Sequence, residues 1–211
     1  MKQVINLDNW NRKEHFKFFS ALDDPFWGIT TTVDFTSIYQ QSKNMEVSFF
    51  LYSVHFLLKC INATTAFKLR IENGEVVEYD KINISPTIGR EDGTFGFGFF
   101  EYDTDLSLFI ENAEKEIHRV KNSTGLSFSK DTARADVIRY SALPWFAFSE
   151  MKHAGSIQTG DSIPKISTGK LIQEKKKLLL PISISVHHGL VDGRNIAEFI
   201  QNLKDGQNNT L

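Results

Sequence analysis

The sequence contains little cysteine, little proline and almost no net charge. Its 211 residues include one cysteine, Cys60, and five prolines. A single cysteine cannot form an intramolecular disulfide, and a chain of this length can bury a hydrophobic core without one. The 24 basic and 26 acidic residues leave a formal charge of -2, so the chain lacks the positive excess that binds a nucleic-acid backbone. We therefore expect a protein of a reducing compartment with no nucleic-acid partner.

Long apolar segments are also missing. The longest central run without Lys, Arg, Asp or Glu extends from Val47 to Leu58, and a membrane-spanning helix needs ~20 residues. We interpret this run as part of a core helix. The N-terminal segment MKQVINLDNWNRKEHF has charges throughout and no apolar stretch of signal-peptide length. The sequence therefore predicts a cytoplasmic protein with no membrane partner.

Helical and extended patterns alternate along the chain. Apolar residues at intervals of three and four after Asp105 predict a long helix. Segments rich in β-branched and aromatic residues predict strands, among them Val137 to Trp145 and Phe146 to Met151. Asn73-Gly74 predicts a hairpin turn. Since no linker or repeat divides the chain, we expect one α/β domain over residues 1–211, a two-layer sandwich with a mixed, largely antiparallel sheet covered by helices.

The most distinctive segment is His187-His188-Gly189-Leu190-Val191-Asp192-Gly193, which connects an apolar strand to the last predicted helix. Consecutive residues that leave a strand point to opposite faces, so the two histidines cannot readily bind one metal ion. No further cluster of His, Asp or Glu has the spacing of metal ligands. We therefore expect no metal site.

Two interpretations of this turn stay open from spacing alone. In the first, Asp192 only caps the following helix and the histidines are satisfied locally. In the second, one histidine is a general base, since the pKa of imidazole lies near neutral pH, and Asp192 keeps the loop rigid. A neutral imidazole that accepts a proton on one nitrogen must carry a proton on the other, which a hydrogen bond would fix.

The turn resembles the HHxxxDG signature of the chloramphenicol acetyltransferases and their relatives. Two further segments resemble the family in matching order, NWNRKEHF at Asn9 to Phe16 and SALPW at Ser141 to Trp145. NGEVVEYD at Asn73 to Asp80 resembles the family's hairpin as well. HHxxxDG alone is shared with dihydrolipoyl transacylases and peptide-synthetase condensation domains. The full resemblance implies a homotrimer with active sites between subunits. It also implies direct transfer of acetyl from acetyl-CoA to a hydroxyl of chloramphenicol, with no acyl-enzyme.

The resemblance also implies roles for individual residues. His188 matches the catalytic base, Ser141 matches a donor to the oxyanion, and Asp192 with Arg12 matches a structural ion pair. Further matches are the acceptor-binding positions Phe18, Phe19, Phe95, Met151 and His153, and the positions near CoA, Trp145, Ser167 and Lys170. Without the resemblance, Ser141 would be an ordinary strand serine and Arg12 a solvated helix residue.

The sequence departs from the family at its acceptor pocket. Met151, His153, Gly155 and Lys165 occupy places that are mostly apolar in the family, and Arg139 replaces an asparagine. A buried His or Lys without a partner is costly, so either these side chains face solvent or the acceptor carries groups that satisfy them. Two alternatives therefore stay open: acetyl transfer to another alcohol or amine, and capture of a hydrophobic molecule without catalysis.

Overall fold

A mixed seven-stranded sheet forms the centre of the computed structural model, which describes residues 1–155 and 160–208. The strands are β1 (Lys2–Val4), β2 (Phe26–Asp34), β3 (Leu69–Glu72), β4 (Glu75–Tyr79), β5 (Asn83–Gly89), β6 (Phe95–Phe97), β7 (Val137–Ala142), β8 (Lys165–Thr168), β9 (Ile172–Glu174) and β10 (Lys177–His187). The α-helices are α1 (Lys13–Ser20), α2 (Thr36–Asn44), α3 (Phe49–Asn62), α4 (Leu106–Lys121) and α5 (Gly193–Asn208), with short 3-10 helices at Leu7–Asn9 and Thr65–Lys68.

The main sheet has the strand order β2-β10-β8-β7-β5-β6, and β9 pairs with the beginning of β10. The pairs β8–β7 and β7–β5 are parallel, while the other pairs are antiparallel. Strands β1, β4 and β3 form a separate antiparallel sheet. The expected mixed, largely antiparallel α/β architecture is therefore confirmed.

The two faces of the main sheet differ because side chains alternate along β10. Ile182, Ile184 and Val186 point into the core, where they are almost fully buried against the helices. Helix α5 packs against β2 and α4 packs against β5. The alternate residues Ser183 and Ser185 point to the opposite face, which is polar. The helices thus cover the apolar face and leave a polar face for other contacts.

Two local expectations agree with the structure. The helix expected after Asp105 is α4, and the Asp105 carboxylate accepts hydrogen bonds from the backbone N–H groups of Ser107 and Leu108. The hairpin β3–β4 turns at Asn73 and Gly74, both of which have positive φ angles of 51° and 81°. Such angles match the tight turn that Asn-Gly predicts.

The strand predicted from Phe146 to Met151 is wrong, and the strand predicted to reach Trp145 ends at Ala142. The pairing of β7 with β5 ends at Tyr140 and its pairing with β8 ends at Ala142, so the chain that follows no longer has these strands as partners. Phe146 is 53% exposed and its carbonyl accepts one hydrogen bond, from the N–H of Lys170. The segment therefore crosses the polar face as irregular chain.

A buried arginine connects the two sheets. Arg70 of β3 is fully buried, and its guanidinium donates hydrogen bonds to four carbonyl oxygens. Two of them belong to Phe67 and Leu69, and the others belong to Ala135 (2.7 Å) and Val137 (2.6 Å) at the start of β7. Burial lowers the pKa of Arg70 to about 10, so the side chain stays charged at neutral pH.

We expect the substitution Arg70→Met to lower the free energy of unfolding by about 3–5 kcal/mol, because it leaves four buried carbonyl groups without their donor. Urea denaturation followed by circular dichroism measures the change. The matched control is Lys81→Met, which removes an exposed ion pair with Glu101 and should alter stability little. Equal stability of the two variants would contradict the role of Arg70.

Candidate active site

The loop after β10 holds His188 in a fixed backbone position. The N–H of His188 donates to the carbonyl of Pro25 at 2.8 Å. The N–H groups of Leu190 and Val191 both donate to the carbonyl of His187 at 3.0 Å, which closes a tight turn before α5. The histidine side chain therefore leaves the sheet at a defined point beside the start of β2.

Two aromatic side chains orient the imidazole of His188. Its ring stacks on Phe19 with 3.8 Å between centroids and 11° between planes, and the ring of Trp27 lies 5.1 Å away. The indole N–H of Trp27 donates to the carbonyl of Val191 at 3.0 Å, which ties this contact to the loop. The Nδ1 atom is buried and has no hydrogen-bond partner among the described residues. Ring contacts thus take the orienting role that the sequence analysis gave to a hydrogen bond.

Asp192 uses one carboxylate oxygen to cap α5 and the other to form an ion pair. Its Oδ1 accepts from the backbone N–H of Arg194 at 2.9 Å and of Asn195 at 3.2 Å, which caps α5. Its Oδ2 forms an ion pair with Arg12, whose second nitrogen lies 3.3 Å from the His188 carbonyl. Burial disfavours the charged carboxylate, but these hydrogen bonds outweigh it, so the pKa of Asp192 is lowered. The pair connects the chain just before α1 to the histidine loop.

A second group of predicted residues lies on the polar face of the sheet. Ser141 of β7 is opposite Ser167 of β8, which in turn is opposite Ser183 of β10. The hydroxyl of Thr87 donates to Ser141 Oγ at 3.2 Å, so the Ser141 proton stays free for another acceptor. Ser167 is fully buried and is hydrogen-bonded to His153 Nε2 at 3.0 Å.

The other predicted binding residues surround this polar face. Phe95 of β6 is 48% exposed and contacts Phe97 edge to face. Met151 lies beside the sheet, and its carbonyl is 3.4 Å from the Ser183 hydroxyl. Trp145 and Lys170 are exposed and close together at the end of β8, because the N–H of Lys170 donates to the carbonyl of the residue after Trp145. Phe18 instead lies on α1 with the histidine half, where it is 64% exposed and contacts Phe19 edge to face.

Within one chain, His188 and Ser141 are far apart. Ser183, at the level of Ser141, is five residues before His188, and β8 lies between β10 and β7. Strand rise and strand spacing then place the two residues roughly 15–20 Å apart. They also point to opposite faces of the sheet, since His188 continues the alternation of Val186 and not that of Ser183. The chain therefore carries two separate halves: a histidine half with Arg12, Phe19 and Asp192, and a serine half around Ser141.

Several residues of the two halves carried no signal in the sequence. Trp27 and Thr87 are unremarkable strand residues, and their contacts with His188 and Ser141 come from strand pairing.

Among the described residues, no three His, Cys, Asp or Glu side chains group closely enough to hold a metal ion. Within the same residues, no helix is both long and apolar enough to cross a membrane.

Comparisons with known proteins agree with one another. The family model described as "Chloramphenicol acetyltransferase" matches residues 2–204. "Chloramphenicol acetyltransferase 3" of Escherichia coli is 27% identical over 208 residues, covering 98% of this chain and 97% of that protein. A chloramphenicol acetyltransferase of Clostridioides difficile is 28% identical over 207 residues, covering 96% and 94% of the two chains. A solved structure named "chloramphenicol acetyltransferase" superposes with a TM-score of 0.89 at 29% identity, covering 98% of this chain and 99% of that one.

We expect Arg12→Ala to loosen the histidine loop, because Asp192 loses its cationic partner. Loss of this partly buried pair should weaken the local structure by about 1–3 kcal/mol, which corresponds to about 5- to 150-fold faster amide exchange at Leu190 and Val191. Hydrogen–deuterium exchange measures the effect. The control is Lys13→Ala, whose partner Asp8 is exposed. Exchange that is as slow in Arg12→Ala as in the control would disprove the anchoring role.

Proposed function

Because the chain belongs to the chloramphenicol acetyltransferase family, we propose that it transfers acetyl from acetyl-CoA to a primary hydroxyl of chloramphenicol. The observation that carries this proposal is the fixed, partly exposed imidazole of His188, held by Phe19, Trp27 and the Arg12–Asp192 pair. An imidazole held in this way can act as a general base toward a bound hydroxyl.

In the proposed reaction, His188 removes the hydroxyl proton of the acceptor while the hydroxyl oxygen attacks the thioester carbonyl carbon of acetyl-CoA. The carbonyl oxygen becomes negatively charged, and the free proton of the Ser141 hydroxyl is donated to it as a hydrogen bond. When the tetrahedral species collapses, the C–S bond breaks, and the thiolate of CoA takes up the proton held by His188. The products are the acetyl ester and free CoA, and no acyl-enzyme is formed.

The separation of the two halves supports a site assembled from two chains. His188 and Ser141 cannot reach one substrate within a single chain, so the histidine half of one subunit has to face the serine half of a neighbour. Such a head-to-tail contact closes into a ring if the rotation between subunits permits it. We propose the homotrimer implied by the family resemblance, with one site at each subunit contact.

The surroundings of the serine half suggest how the substrates lie. The exposed Trp145 and Lys170 are adjacent, so Lys170 can face a phosphate of CoA while Trp145 covers an apolar part of the molecule. Phe95 of the serine half and Phe18 with Phe19 of the neighbour's histidine half would enclose the acceptor. Ser167 is buried and its hydroxyl is hydrogen-bonded to His153. Ser167 can therefore contact CoA only after this hydrogen bond breaks.

A second candidate is acetyl transfer to another alcohol or amine. It is favoured by the polar serine half, where His153 and Lys165 stand beside the sheet face that would bind the acceptor. A catalytically silent binding protein is a weaker alternative, because Arg12, Ser141, His188 and Asp192 are all retained in suitable positions. Thiol release from acetyl-CoA across a panel of acceptors that includes chloramphenicol separates these possibilities.

We expect His188→Ala to reduce acetyl transfer by about 100- to 10,000-fold, the usual contribution of a general base, while the fold is retained. Free thiol release from acetyl-CoA in the presence of chloramphenicol measures the rate, and circular dichroism checks the fold. His118→Ala on α4 is the control, since His118 is an exposed helix residue. An active, folded His188→Ala variant would remove His188 as the base.

We expect the inactive His188→Ala and Ser141→Ala chains to restore activity when they are co-expressed. If the chains mix at random in a ring, about a quarter of the subunit contacts combine an intact His188 with an intact Ser141. Differently tagged chains allow the mixed oligomers to be purified and assayed for thiol release. If every site lay within one chain, each mixed oligomer would contain only defective sites, and no activity would return.

A further inference from the structure

A cavity of about 870 Å³ lies against the polar face of the main sheet, next to the serine half. Its floor contains Lys165 of β8 together with Ser185 and His187 of β10, and Phe26 of β2 forms part of its wall. Lys165 and Ser185 are direct cross-strand neighbours. The role proposed for His188 does not use any of these polar groups.

The ammonium group of Lys165 is held in the floor and away from solvent. The side chain is 8% exposed. Its Nζ atom lies 4.3 Å from the centroid of the Phe26 ring and 3.4 Å from Asp161 Oδ2. A Cβ atom on Gly155 would lie 2.8 Å from Nζ, so the loop passes close to the ammonium group. Of the two possibilities stated for Lys165 from the sequence, exposure to solvent is therefore wrong.

Among the described residues, Lys165 shares its carboxylate partner with a second, half-exposed cation. Asp161, whose side chain is also 8% exposed, pairs with Lys165 and accepts a hydrogen bond from Arg139 at 2.7 Å. One carboxylate thus serves two cations. Asp24, Glu150 and Lys152 also line the cavity, but they are exposed, and neither acid pairs with Lys165 or Arg139 among the described residues. Solvent screens the charge of Arg139, whose side chain is 50% exposed, whereas the buried ammonium of Lys165 depends on a shared ion pair at 3.4 Å.

His187 adds a neutral donor to the floor that holds the Lys165 ammonium group. The backbone N–H of Gly189 donates to His187 Nδ1 at 3.1 Å. A neutral imidazole that accepts at Nδ1 carries its proton on Nε2, which makes Nε2 a donor. The ring is neutral at pH 7, because burial lowers the pKa of His187 to about 4. The floor therefore offers a cation and a neutral N–H donor side by side.

We propose that this cavity binds the carboxylate of an acceptor alcohol, with Lys165 as the cationic partner and His187 as a hydrogen-bond donor. One ammonium group and one neutral N–H donor suit the two oxygens of a monoanionic carboxylate. Lys165 and Ser167 share one face of β8, and Ser167 lies opposite Ser141. A carboxylate in the cavity would thus place a hydroxyl of the same molecule toward the serine half. The inference rests on the proposed acetyl transfer and specifies its acceptor class.

The test compares two acceptors that share one primary hydroxyl and one aromatic group. N-benzoylserine carries a carboxylate, and N-benzoylserinamide carries a neutral amide in its place. We expect kcat/KM for thiol release to be about 10-fold or more higher with the carboxylate, because a site built for a polar group discriminates against an analogue that lacks it. Lys165→Met should abolish this preference, whereas Lys165→Arg should retain part of it. Lys115→Met, on the exposed face of α4, is the control and should retain it fully.

Direct binding keeps the inference separate from the catalytic proposal. Isothermal titration of each compound into the protein without acetyl-CoA should show tighter binding of N-benzoylserine, and Lys165→Met should remove the difference. If neither compound nor chloramphenicol supports thiol release, the proposed function is wrong, while the titration still decides the carboxylate site. Equal affinity of the two compounds for the wild-type protein, or a preference that Lys165→Met leaves intact, would overturn the site.

Discussion

The alternation of side chains along β10 determines where the functional groups of this protein lie. Ile182, Ile184 and Val186 build the core beneath the helices, and His188 follows them on that side. The alternate residues Ser183, Ser185 and His187 form the polar face. A shift of one residue in the pairing of β10 would exchange the two sets and bury the serines in the core. The apolar core therefore enforces the register that keeps the two histidines apart.

The Arg12–Asp192 pair extends this order beyond the sheet. A strand fixes side chains over its own paired residues, and His188 is one residue past the end of β10. Two other segments hold the loop: the Pro25 carbonyl and the Trp27 indole at the start of β2, and the Arg12 guanidinium just before α1. Asp192 can serve the helix and the arginine at once because a carboxylate has two oxygens with several lone pairs.

Much of the architecture could be predicted from the sequence, because apolar periodicity and turn residues act locally. The helix after Asp105 and the Asn73-Gly74 turn are examples. The Phe146 to Met151 segment was mispredicted because a segment forms a strand only where a neighbouring strand is available for pairing, which is a non-local property. Helix α2 went unpredicted for a related reason, since its polar sequence has few apolar positions and only Ile38 and Ser42 are buried. Likewise, the contacts of Trp27 with His188 and of Asp161 with Lys165 arise only when distant segments meet.

The two halves lie on opposite sides of one sheet, which affects how complete active sites would form. In the proposed assembly, a lone chain can be completely folded and still contain no complete active site, because each half is paired with the other half of a neighbouring chain. The number of centres in solution is then governed by mass action. Dilution would then reduce the activity while the circular dichroism spectrum of the folded chain stayed the same.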